Sequence, residues 1–181
     1  MNPTTKLIPT SSQTVGPFFQ IGLQYLLDRA PVMQPGGQFV EIHGRVLDRD
    51  GAPVPDAVLE FWSGEAPTNP DESGYPANFR RALSDDQGRY SAVVLKSPRT
   101  KLEDGQAEAP HLCVLVFMRG LLRNLVSRVY FSNDAEIPLD LVLQEVPPER
   151  RKTLIARPDG PGFYHWDIIL QGHDETVFFT W

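Results

Sequence analysis

A single cysteine, Cys113, is the first shortage in this sequence. It cannot close an internal disulfide, and it fits a reducing cytoplasm, the compartment expected for the chain. The same shortage removes every paired-cysteine metal knuckle. No apolar run approaches the roughly 20 residues that cross a bilayer. The opening stretch MNPTTKLIPTSSQ has no apolar segment of the kind a secretion signal needs. Positive charge is also short: 17 lysines and arginines stand against 23 acidic residues, a net charge of -6. A clustered basic face for nucleic acid is therefore not expected. Neither a phosphate-cradling glycine loop nor a Gly-x-Ser-x-Gly elbow occurs. His43, His111, His165 and His173 lie far apart, and none forms a His-x-His or His-Glu-x-x-His pair. An isolated histidine on a strand is more often structural or solvent-facing than a metal ligand.

What is present reads as strand. In QFVEIHGRVLD (38–48), Val40, Ile42, Gly44 and Val46 share one face, and that face is the greasier. An Asp50-Gly51 turn separates it from DAVLEFW (56–62). The design repeats in SDDQGRYSAVVL, where an Asp-rich turn with Gly88 precedes a strand from about Arg89 to Leu95. PHLCVLVFMRG (110–120) is the most apolar stretch, of a length suited to a buried central strand. LVSRVYF (125–131), YHWDIIL (164–170) and ETVFF (175–179) complete at least seven strands. Helical signal is thin: PPERRKTLIAR (147–157) is the best case, and GLQYLLDRA (22–30) a short second one. The expected fold is all-β, an antiparallel β-sandwich with long loops at 63–81 and 96–110 and one or two short helices. One core suits 181 residues, so residues 1–37 form an arm and 38–181 the domain.

Three places invite chemistry. SSQTVGPFFQIGL (11–23) reads as neither helix nor strand, with Gly16-Pro17 as a break and two phenylalanines behind it. Arms fray unless they are tied down. Glycine lets backbone come close to a ligand, proline fixes the corner, and aromatic rings can anchor the arm by burial. His111 and Cys113 share a strand face, but a hard ferric centre prefers nitrogen and oxygen donors to thiolate, so both read as packing. Arg119, directly after the apolar strand, is either the residue that reaches water or an anion clamp whose fork matches a carboxylate.

Taken in order, SSQTVGPFFQIGL, LEFWSGEAPTNPDESGY, DDQGRYSAVVLK, APHLCVLVFMRGL, SRVYFSND and YHWDIILQGHDETVFF resemble the intradiol aromatic-ring-cleaving dioxygenases. The likeness is to the α subunits of heteromeric members that act on protocatechuate (3,4-dihydroxybenzoate), and it runs from about Ser12 to the end. It implies a β-sandwich working with a homologous β subunit in a higher-order α/β oligomer. The β subunits of this family hold Fe(III) with two tyrosines and a His-x-His strand. Here that strand reads His111-Leu112-Cys113, and the connection from Lys96 to Pro110 has no tyrosine. Tyr75 alone falls near the position of the other tyrosine. The resemblance therefore implies no metal ligand and no catalytic residue in this chain, with iron on the partner. It also assigns Thr14, Gly16, Pro17 and Arg119 to the wall of the substrate pocket, Arg119 near the substrate carboxylate, and the arm to packing on the partner. The contrasting expectation is a β-sandwich binding or scaffold module without catalysis.

Overall fold

The structure, a computed structural model, describes residues 10–24, 27, 38–64, 78–96, 100–101 and 107–180. Tyr75, residues 1–9, 25–26 and 28–37 of the arm, and most of the expected helix at 22–30 and of the loops at 63–81 and 96–110 lie outside the described residues. The elements in chain order are α1 (Pro17–Leu23), β1 (Gln38–Leu47), β2 (Val58–Ser63), β3 (Phe79–Leu83), β4 (Arg89–Lys96), β5 (Thr100–Lys101), β6 (Ala107–Glu108), β7 (His111–Phe117), β8 (Leu125–Phe131), α2 (Leu141–Glu145), β9 (Ile155–Pro158), β10 (Phe163–His165) and β11 (Ile168–Ile169). Short 3-10 turns cover Ile137–Leu139 and Arg151–Leu154.

The architecture is all-β and sandwich-like. The strands follow the order β11-β1-β10-β9-β8-β7-β2-β3, with β4 on β1 and a separate β5-β6 ribbon. Period-2 alternation explains the core: in β1 the buried positions are Val40, Ile42, Gly44 and Val46, the face read as apolar from sequence. Leu112, Val114 and Val116 of β7 fill the same core together with Phe61 and Phe131. The two Asp-rich turns are built alike. Asp48 Oδ1 accepts the N–H groups of Asp50 and Ala52, both at 2.9 Å. Asp85 Oδ1 accepts those of Gln87 at 2.9 Å and Arg89 at 2.8 Å. Each turn closes through a glycine with positive φ, Gly51 at 78° and Gly88 at 70°.

Several expectations are corrected. The pairing is mixed: β1 runs parallel to β10 and β11, and β8 parallel to β9. Pro17 does not break structure but opens α1, with Gly16 as N-cap. A proline at the first helical position loses nothing, since its missing N–H would have had no helical partner. The helix expected at 147–157 is instead a 3-10 turn followed by β9. There Ile155 and Ala156 are drawn into register with Tyr130 and Phe131, and non-local pairing overrides propensity. Residues 175–179 contribute only a bridge from Phe179 to Val126. The run 164–170 splits into β10 and β11 because the Asp167 carboxylate replaces a backbone acceptor and takes the Arg45 N–H at 2.8 Å.

Asp140 caps α2 and ties three segments together. Its fully buried carboxylate accepts the Leu143 N–H at 2.8 Å, the Tyr130 hydroxyl at 3.0 Å and the Ala109 N–H at 2.9 Å. Replacing Asp140 with alanine leaves three interior donors without an acceptor. We expect a loss of about 2–3 kcal/mol, read as a shift in the denaturant midpoint. An unchanged midpoint would show that water reaches these donors.

Candidate functional site

The site is built where β7 ends. Past Phe117 the chain turns through Met118, Arg119 and Gly120, and Gly120 takes φ 93°, which favours glycine. The Gly120 N–H donates to Thr14 Oγ1 at 2.9 Å. Five residues on, in α1, the Phe19 ring packs on Phe117 with centroids 5.6 Å apart. The arm is thus tied to its own sheet at two points. Arg119 Nη2 donates to Asp56 Oδ2 at 2.8 Å, and the arginine side chain is 55% exposed.

The fold therefore brings Thr14 to the Arg119–Gly120 turn, although 106 residues separate Thr14 from Gly120. Gly16 and Pro17 begin α1 beside it. Gly16 has ordinary backbone angles (φ -89°, ψ 175°), and a Cβ there would meet nothing within 4 Å. A cleft of about 520 Å³ opens alongside, walled by Ser12, Gln13, Val15, Met118 and Leu122. Thr14 and Arg119 do not line it; their sequence neighbours do.

On the outward face of β7, His111 and Cys113 stand half-buried, opposite Tyr130 and Arg128 of β8. His111 Nδ1 bonds the Ala109 carbonyl at 2.8 Å, so the ring points Nε2 toward Glu108, 3.7 Å away. Burial, and then the Arg128 guanidinium, pull the imidazole below its ordinary pKa. Burial pushes the Cys113 thiol up and, together with Asp140, pushes the Tyr130 phenol up as well. Glu108 is already engaged, accepting from Arg128 Nη1 at 2.9 Å. A ferric ion needs several anionic or neutral hard donors converging on one point. This position offers one imidazole, a soft thiol, a phenol hydrogen-bonded to Asp140 and a carboxylate paired with Arg128. These donors do not fit the ion. Among the described residues no group of three or more His, Cys, Asp or Glu side chains could hold a metal.

The remaining histidines lie elsewhere: His43 pairs with Asp159 at 2.9 Å, His165 with Asp167 at 3.1 Å, and His173 is exposed. Two residues the sequence reading passed over matter here, Asp56 and Arg128. Asp56 opens an apolar strand run, and no local signal links it to an arginine 63 positions later. Among the described residues no helix is long and apolar enough to cross a membrane.

The Dioxygenase_C model, described as a dioxygenase, matches residues 23–172. The chain is 39% identical to the protocatechuate 3,4-dioxygenase alpha chain of Burkholderia cepacia, over 97% of this chain and 98% of that one. It is 28% identical to the beta chain from the same organism, over 79% of this chain and 68% of that one. Among solved structures, 3-chlorocatechol 1,2-dioxygenase of Rhodococcus opacus 1CP shares the fold with a TM-score of 0.61 at 19% identity, covering 90% of this chain and 68% of that one. The strand architecture and these likenesses agree, and the chain belongs to the intradiol ring-cleaving dioxygenase family.

Proposed function

We propose that this chain is the iron-free α subunit of a heteromeric protocatechuate 3,4-dioxygenase. In this reading a homologous β subunit holds Fe(III), and the complex cleaves 3,4-dihydroxybenzoate with dioxygen between its hydroxyl-bearing carbons, giving 3-carboxy-cis,cis-muconate. This chain contributes orientation and electrostatics, not a reacting group. Arg119 binds the substrate carboxylate, while Thr14, Gly16 and Pro17 wall the pocket.

The observation that carries the reading is the bond between Thr14 and Gly120, which joins the arm to the turn bearing Arg119. Gly16 is the N-cap of α1, a position that suits glycine, and it leaves open space beside the arm, where a Cβ would meet nothing within 4 Å. Phe18 is 80% and Ile21 57% exposed. They lie three residues apart on one face of α1, a surface suited to burial against the partner. The misfit of the donors around His111 supports iron on the other chain.

The reading is tested by metal analysis and oxygen uptake. The purified chain alone is expected to hold well under one ferric ion and to show no activity. Co-expression with an iron-binding β subunit is expected to give a coloured complex active on protocatechuate. Stoichiometric ferric iron on the isolated chain would overturn the reading. A β subunit fully active without this chain would favour the scaffold role.

A further inference from the structure

We propose that Asp56 is a positioning residue, holding the Arg119 guanidinium in the orientation that receives a substrate carboxylate. The inference rests on the carboxylate-clamp reading of Arg119.

Asp56 has φ 61°, the one non-glycine with positive φ among the described residues. That backbone state is disfavoured for most side chains, though Asp and Asn tolerate it. The turn carrying it is fastened on both sides. The Asp56 N–H donates to the Ser84 carbonyl at 3.3 Å. The buried Ser84 hydroxyl accepts the Ala57 N–H at 2.8 Å and donates to the Val54 carbonyl at 2.9 Å. Val54 and Ala57 are themselves core residues. The Asp56 carboxylate thus projects from a rigid base.

Arg119 is the opposite case. It follows the end of β7 on an exposed turn, and a long side chain in that place samples many rotamers. Asp56 takes one of its five N–H donors, through Nη2 at 2.8 Å. Among the described residues the others have no hydrogen-bond partner, which leaves the fork open to a ligand. An ion pair this exposed contributes little to folding. Its effect falls on binding instead, where a side chain already held in place has less freedom to lose when a ligand arrives. Asp56 also offsets part of the Arg119 charge, so removing it pulls affinity two ways; positioning is the effect we assign as dominant.

The test is a double-mutant cycle in the assembled α/β enzyme, using Asp56→Gly and Asp56→Asn, both compatible with positive φ, and Arg119→Ala. Asp56→Gly is expected to raise KM for protocatechuate roughly threefold to tenfold with kcat within about twofold. Asp56→Asn, which keeps a weaker acceptor, falls between it and the parent. The inhibition constant of catechol, which has no carboxylate, stays unchanged. In the Arg119→Ala background neither Asp56 change has a further effect. A KM that is unchanged or lower in Asp56→Gly, while Arg119→Ala raises it, overturns the positioning role and leaves the clamp standing. Additive effects of the two changes, or equal losses for protocatechuate and catechol, overturn it as well. If Arg119→Ala leaves KM unchanged, the clamp fails first and the positioning role with it.

Discussion

Replacing Arg119 with alanine in the assembled complex raises KM for protocatechuate by roughly tenfold to a hundredfold and lowers kcat by less than about threefold. The size follows from what is lost. A hydrogen bond to a charged group contributes about 1.5–3 kcal/mol, and each 1.4 kcal/mol is a factor of ten. The side chain is 55% exposed in the isolated chain, where water would screen the contact toward the lower figure. In the proposed complex a partner subunit over the pocket would exclude that water and move the effect upward. The split between KM and kcat follows from the proposed role: in 3,4-dihydroxybenzoate the carboxylate is remote from the ring carbons that part, so a clamp on it would serve ground state and transition state alike. Arg119→Lys keeps the charge but loses the planar fork, and falls between the parent and alanine. Steady-state kinetics on the reconstituted complex decide the matter. A drop in kcat with KM unmoved would contradict a binding role.

Replacing Gly44 with alanine destabilises the fold by about 4 kcal/mol, near the upper end for a single added methyl group. For a chain of this length that lowers the melting temperature by roughly 8–16 °C. β1 pairs with β4 on one side and with β10 and β11 on the other, and Gly44 lies where β10 gives way to β11. A Cβ there would stand 1.9 Å from the Trp166 carbonyl oxygen and 2.6 Å from its carbon. That peptide has nowhere to go. Its oxygen takes the Tyr90 hydroxyl at 2.6 Å, the Trp166 N–H reaches the His43 carbonyl at 2.8 Å, and the indole N–H bonds Thr153 at 2.9 Å. Gly16→Ala is the comparison in open space: it loses only a better N-cap on a short helix, and the melting temperature falls by no more than about 2–4 °C. Thermal denaturation of both variants gives the comparison. A Gly44→Ala variant melting within a degree or two of the parent would mean that β10 can shift away.

What could be read from sequence was local. The alternation in 38–48 marks the buried face of β1, and LVSRVYF coincides with β8 residue for residue. An Asp followed by a glycine three positions on marks both tight turns, because the side chain and the glycine satisfy the turn within its own span. The motif order was enough to suggest the family. Arg119 and Thr14 could be named singly.

Only the folded chain decided what needs a partner from far away. The residues 155–158 became a strand because β8 was there to pair with, and Trp166 and Asp167 interrupt a strand because Arg45 and Tyr90 claim their polar groups. Asp140 could have been suspected as a helix cap before Leu-Val-Leu, but its bonds to Ala109 and Tyr130 could not. The same holds at the site. Asp56 meets Arg119 through the antiparallel pairing of β2 with β7, and Thr14 meets Gly120 where the arm lies against the turn after β7, not through any spacing in the chain. Periodicity reports which way a side chain faces; which group waits for it is set by tertiary packing, where local preference yields to the burial and pairing of distant segments.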